Sequence, residues 1–149
     1  QLKRVLGYIE AGKEAGAEVA FGGERVLANT GGLFVEPTIF NGVKSEMVIA
    51  QEEIFGPVLS VIGFKDADDA IKIANDSIYG LYAAVWTTNL NTAFRMVRGV
   101  KAGSVNVNTY FGGDTSVPFG GVKQSGLGRE GGKEGMLEFM ETQYISVTW

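Results

Sequence analysis

Neither cysteine nor histidine occurs among the 149 residues. Their absence removes a thiolate nucleophile, a disulfide, a Cys/His zinc site and an imidazole base from what this chain can supply. Accordingly, no catalytic residue and no metal ligand is assigned within it. Asp66, Asp68 and Asp69 do not have the spacing of a calcium loop. Basic residues are sparse as well: thirteen against seventeen acidic ones, net charge −4, with no Lys/Arg run longer than the pair Lys3-Arg4. Such a balance argues against a nucleic-acid partner. No apolar run approaches the roughly 18–20 residues of a membrane-spanning helix, so no membrane partner is expected. The opening QLKRVLGYIE begins in mid-helix, with no initiating Met, capping residue or signal peptide. We therefore expect a segment of a longer polypeptide, located in the cytoplasm, whose missing chemistry lies elsewhere in that polypeptide.

What is present reads as a globular α/β protein, 45% apolar and 20% charged. Leu2, Val5, Leu6 and Ile9 fall on one helical stripe, predicting a helix over residues 1–15 that stops at Gly16. AEVAFGG and LFVEPTIF read as short strands, the second demoted by Pro37 to an edge or bulged position. PVLSVIGF is nearly continuous apolar sequence, as in a strand buried on both faces. Asp66 is placed to cap a helix over DADDAIKIAND, with Ala70, Ile71 and Ala74 inward. A second strand, LYAAVWT, follows. Thr88 or Asn89 then caps a helix with Leu90, Ala93, Phe94 and Val97 inward, and AGSVNVN returns as a third strand. The order β-α-β-α-β predicts an open parallel sheet with strands near 57–64, 82–87 and 103–108. A short helix in EGMLEFMET and an alternating strand, YISVTW, end the chain.

Residues 109–132 form a 24-residue stretch with eight glycines. Such length inside a compact domain implies function or disorder, and Tyr110, Phe111 and Phe119 argue against disorder. Within it GLGREG (Gly126 to Gly131) spells G-x-G-x-x-G. A dinucleotide loop of that spelling needs a buried strand before it and a ribose-binding acid about 20 residues on. VKQS precedes it and Ser146 to Trp149 lie at that distance, so the segment reads as a tight glycine turn. Lys123 and Arg129 read as solvated loop charges. Ser125 has no base beside it to make it a nucleophile.

QEEIFGPV, residues 51–58, admits two readings. The acids are a solvated pair followed by a core Phe, or a carboxylate accepts hydrogen bonds from a ribose diol while an aromatic two residues later flanks a flat heterocycle. Phe119 likewise reads as a packing anchor or a ligand contact.

Taken together, QEEIFGPV, PT-x-F at 37–40, NDSIYGL at 75–81, Val107-Asn108 and PFGGVKQSGLGRE at 118–130 resemble the carboxyl-terminal portion of NAD(P)-dependent aldehyde dehydrogenases. The resemblance runs in the family's order over essentially the whole chain. It implies that residues 1–142 are the last part of a catalytic domain, with 109–132 as a substrate-facing loop, and that 143–149 form a strand joining subunits of a homo-oligomer. It implies NAD or NADP as cofactor and an aldehyde as substrate, oxidised to a carboxylic acid through a cysteine thiohemiacetal. The cysteine, the glutamate base and most of the cofactor domain belong to the rest of the enzyme chain, so the isolated chain is expected to be inactive. By resemblance, Glu53 holds the nicotinamide ribose and Phe55 stands beside the nicotinamide. Gln1 and Arg4 match positions near the adenosine ribose, with Arg where Lys is common. Phe119 matches an aromatic of the substrate tunnel, and Tyr110, Phe111 and Gly113 lie in the loop that shapes aldehyde choice. The alternative class is a non-catalytic assembly module using an exposed sheet edge.

Overall fold

The computed structural model describes residues 1–110 and 113–149. The chain divides into two compact units, Gln1–Lys65 and Asp66–Trp149.

The first unit is built on helix α1 (Leu2–Glu14), which buries Val5 and Ile9 and half-buries Leu2 and Leu6, the stripe read from the sequence. Strands β1 (Glu18–Phe21) and β4 (Thr38–Asn41) pair antiparallel, and β4 pairs parallel with β5 (Val58–Ser60). β2 (Arg25–Val26) and β3 (Phe34–Val35) form a separate ribbon. LFVEPTIF is thus two strands broken at Pro37, and its second half is the central strand of the β1-β4-β5 sheet, not an edge. Pro37 is tolerated because it lies just outside β4, so the ladder begins with the amide of Thr38, which donates to the Pro57 carbonyl at 2.7 Å. Helix α2 (Val48–Gln51) sits in the crossover that makes β4 and β5 parallel. Val5, Ile9, Ala17, Phe40, Val43, Met47, Ile49 and Ile54 form the core. Burying side chains such as Phe40 and Ile9 contributes about 1.5–3 kcal/mol each.

In the second unit Asp66 caps α3 (Ala67–Asn75), accepting from the amides of Asp68 and Asp69, and Asn89 caps α4 (Leu90–Gly99), accepting from Thr92. β7 (Tyr82–Val85) and β8 (Ser104–Val107) pair in parallel, Tyr82 opposite Ser104 and Val85 opposite Val107. β6 (Tyr79–Gly80) pairs antiparallel with β9 (Val122–Lys123), and α5 spans Gly132–Leu137.

The parallel pairing expected of an α/β protein is present in β4–β5 and β7–β8. The strand expected ahead of β7 and β8 is β5, whose partner is β4. It is also shorter than predicted and exposes Leu59, so it is not covered on both faces. Ala74, Leu90 and Phe94, expected inward, are exposed. Among the described apolar residues of this unit only Ala93 is buried. The closing YISVTW pairs with no strand among the described residues and is exposed throughout. A strand needs a partner edge for its hydrogen bonds, and none of the described residues of this chain offers it one.

Candidate functional site

One candidate group is the segment from Glu52 to Gly56, which leaves α2 and enters β5. Glu52 closes the helix in an extended conformation, φ −112° and ψ 148°. Ile54 is buried in the core, whereas Glu53 and Phe55 are exposed. Phe55 takes φ 52°, a left-handed conformation that side chains other than glycine enter at a cost of about 1 kcal/mol or more.

One face of α1 holds this segment. The Gln1 side-chain amide donates to the carbonyls of Ile54 at 3.0 Å and Phe55 at 2.8 Å. Arg4 Nη2 donates to the Glu53 carbonyl at 2.7 Å. The Tyr8 hydroxyl donates to Glu52 Oε2 at 2.6 Å. Val5 lies so close to Gly56 that a Cβ there would stand 2.5 Å from Val5 Cγ2, which is why glycine occupies that position. Three successive backbone carbonyls are thereby tied to the helix, and the exposed Glu53 carboxylate and Phe55 ring are left at the surface. An exposed carboxylate can accept two hydrogen bonds from a diol, and an exposed ring can flank a planar heterocycle.

The second candidate group leaves the carboxyl end of β8, the side of an α/β sheet where ligands bind. Asn106 Nδ2 donates to the Tyr82 hydroxyl, which donates to the Tyr110 carbonyl. The Tyr82 and Tyr110 rings lie 5.8 Å apart, tilted by 54°. Asp114 Oδ1 accepts from the Ser116 amide at 2.8 Å, and hydrogen bonding with the Ser116 side chain, and secondly with this amide, holds its carboxyl below the usual carboxylate range. The ordering it gives the turn is present above the ordinary carboxylate pKa and is lost as pH falls through the lowered folded-state value. Phe119 is fixed by reciprocal backbone bonds with Glu130, both 2.7 Å. Gly113, Phe119, Val105, Asn106 and Tyr82 line a cavity of about 600 Å³, one wall of which is apolar. Phe111 lies outside the described residues.

GLGREG does not open from a parallel strand. The two-residue β9 precedes it and is antiparallel to β6. Gly126 and Gly128 take φ 116° and 85°. Arg129 Nη1 donates to the carbonyls of Gly121 at 2.8 Å and Gly128 at 2.7 Å, and the Arg129 amide donates to Glu138 at 3.1 Å. Arg129 is thus a tie across the turn and not a solvated charge. Lys123 is one as well: its ammonium donates to the carbonyls of Asn75 at 3.0 Å and Ser77 at 2.8 Å. Ser125 Oγ accepts from the Gly80 amide at 2.9 Å, a structural role.

The resemblance placed Glu53 and Phe55 at the nicotinamide end and Gln1 and Arg4 near the adenosine ribose, whereas the structure sets the Gln1 and Arg4 side chains against the 53–55 backbone. Tyr8, Val5, Tyr82 and Asn106 were missed. Gln1, Arg4, Val5 and Tyr8 share i, i+3, i+4, i+7 spacing on α1, a signal visible beside the apolar stripe but not used.

Helices flanking parallel strand pairs, with a polar and aromatic loop beyond the strand ends, define an α/β protein. Residues 1–145 match the aldehyde dehydrogenase family, and the chain belongs to it. An aldehyde dehydrogenase of Davidiella tassiana is 50% identical over 147 residues, which is 99% of this chain and 29% of that protein. A mitochondrial aldehyde dehydrogenase of Leishmania tarentolae is 51% identical over 97% of this chain and 29% of its own length. The P. syringae AldA indole-3-acetaldehyde dehydrogenase, solved as a mutant with NAD+ and IAA, superposes with a TM-score of 0.91 at 55% identity, over 94% of this chain and 28% of that one. Betaine aldehyde dehydrogenase from Staphylococcus aureus, solved with NAD+, gives 0.89 at 42% identity, over 93% and 28%. The chain therefore spans under a third of the length of these relatives.

Proposed function

We propose that this chain is the part of an aldehyde dehydrogenase that contacts the nicotinamide end of the cofactor and one wall of the aldehyde site, in an enzyme oxidising an aldehyde to a carboxylic acid. The observation that carries the reading is the Glu52–Gly56 segment: its carbonyls are tied to α1, and its carboxylate and aromatic side chains stand exposed. Glu53 would hold the ribose diol and Phe55 would flank the nicotinamide, while Gln1 and Arg4, which by resemblance lie near the adenosine ribose, fix the backbone of that segment. The solved relatives carrying NAD+ support NAD+ over NADP+. When bound, the nicotinamide accepts hydride. The residues of this chain bind and orient it, since no cysteine or histidine is present to attack the aldehyde. Tyr110, Phe111, Gly113 and Phe119 would shape the aldehyde wall. Solved relatives named for indole-3-acetaldehyde and for betaine aldehyde share this fold, so the fold does not select the aldehyde. Residues 143–149, exposed and unpaired in this chain, would add to a sheet edge of a second copy.

The test is Glu53→Gln in the full-length protein. It keeps the shape and loses the charge of the diol acceptor. The expected result is a rise in the KM for NAD+ or a slower hydride step, read by NADH formation and by a deuterated aldehyde. Unchanged kinetics would return Glu53 to a solvated surface role.

A further inference from the structure

We propose that Tyr8 is a positioning residue for the cofactor-facing segment, deciding which of the adjacent carboxylates Glu52 and Glu53 is presented to the ligand. The inference rests on the cofactor reading above and adds to it a residue that contacts no ligand.

In extended backbone, successive side chains point to opposite sides. Glu52 is extended, so a bond that fixes the side of the segment on which Glu52 leaves favours departure of the Glu53 side chain on the opposite side. Tyr8 draws Glu52 toward α1 through its hydroxyl, at 2.6 Å from Oε2. Its ring also lies under the Arg4 guanidinium, with Arg4 Cζ 5.6 Å from the ring centroid. The same guanidinium donates to the Glu53 carbonyl at 2.7 Å. Tyr8 therefore acts on Glu53 from two directions, through the side chain of the preceding residue and through the cation that grips its own carbonyl. The Tyr8 ring packs against the core of the first unit, but packing of the ring does not account for its hydroxyl standing on Glu52. Glu52 is exposed and contributes nothing to the core, so the bond to Tyr8 serves the direction of the segment.

Tyr8→Phe in the full-length protein keeps the ring beneath Arg4 and removes only the hydroxyl. A hydrogen bond to a charged group at the surface corresponds to a factor of roughly three to ten. NAD+ should bind about that much more weakly by titration calorimetry, while the KM for aldehyde and the thermal midpoint stay put. In the cofactor-free protein, amide exchange at Ile54, Phe55 and Gly56 should accelerate. Glu52→Gln keeps an acceptor oxygen and should behave close to wild type. Glu52→Ala should match Tyr8→Phe, and the double variant should lose no more than either single one. Wild-type NAD+ affinity and wild-type exchange in Tyr8→Phe would overturn the proposal. So would a lowered thermal midpoint with both substrates weakened alike, the mark of a purely structural residue. A wild-type protein that binds no NAD+ would instead sink the cofactor reading, and the exchange rates would still decide the role of Tyr8.

Discussion

Phe55 holds a left-handed backbone, φ 52°, and yet leaves its ring 69% exposed. Strain of about 1–2 kcal/mol is ordinarily offset by burial or by a bond of the side chain itself. Lys123, at φ 56°, is compensated by its ammonium on two carbonyls. Phe55 has little burial to offset it, so the strain is maintained by Gln1 holding the Phe55 carbonyl. In the proposed reading, the strained position presents the ring to the nicotinamide. Phe55→Gly should therefore relieve the backbone and leave the thermal midpoint of the full-length protein unchanged or raised, while NAD+ affinity falls. A lower midpoint with unaltered affinity would show instead that the ring packs structurally.

At the scale of elements, the parallel pair β7–β8 works as an anchor for the loop that follows it. Asn106 on β8 and Tyr82 on β7 meet because the register sets Ala84 opposite Asn106, one pleat repeat from Tyr82. The pair then holds the Tyr110 carbonyl. Tyr82→Phe keeps the ring against Tyr110 and releases that carbonyl, so the KM for aldehyde should rise by a factor of roughly two to ten while that for NAD+ stays unchanged. An unchanged aldehyde KM would mean that the loop is ordered without the anchor. Elements of this kind show how much can be read in advance. The α1 stripe and the caps at Asp66 and Asn89 were legible because periodicity and capping are local. The Glu53–Phe55 pair was singled out by its resemblance to a family motif; its spacing alone left it open between a solvated pair with a packed ring and a ligand contact. The pairing of β5 with β4 was not, because a strand partner is chosen across a crossover by packing that no local pattern encodes. The Tyr8–Glu52 bond joins residues 44 apart in sequence; the helical spacing of Gln1, Arg4, Val5 and Tyr8 shows that they share a face but not which distant segment that face meets. Leu90 and Phe94 carried the right period for an inward face, and nothing in a periodicity says whether the surface meant to cover that face is present.

For the molecule as a whole, the two units differ in what they bury. Gln1–Lys65 encloses Phe40 and Ile9 completely within an eight-residue core. In Asp66–Trp149 Ala93 is the one buried apolar side chain among the described residues, while Trp86, Leu90, Phe94, Met136, Phe139 and Trp149 are all exposed. One buried alanine and a set of half-buried apolar residues such as Ile71, Val85 and Val105 offset little of the conformational entropy of ordering more than eighty residues, about 1–2 kcal/mol for each backbone. Exposed apolar area on that scale is characteristic of contact surfaces, and we expect the rest of a full-length protein to cover it. The isolated 149-residue chain should accordingly protect amides around Ile9 and Phe40 in hydrogen exchange, leave those of α3, α4 and α5 close to unprotected, and bind a hydrophobic dye. It should also produce no NADH from any aldehyde, since the nucleophile is not among its residues. In a full-length protein the same helices should be protected to the level of the first unit. Equal protection of both units in the isolated chain would show that Asp66–Trp149 is self-sufficient, and NADH formed by the isolated chain would overturn the division of labour on which the proposed function rests.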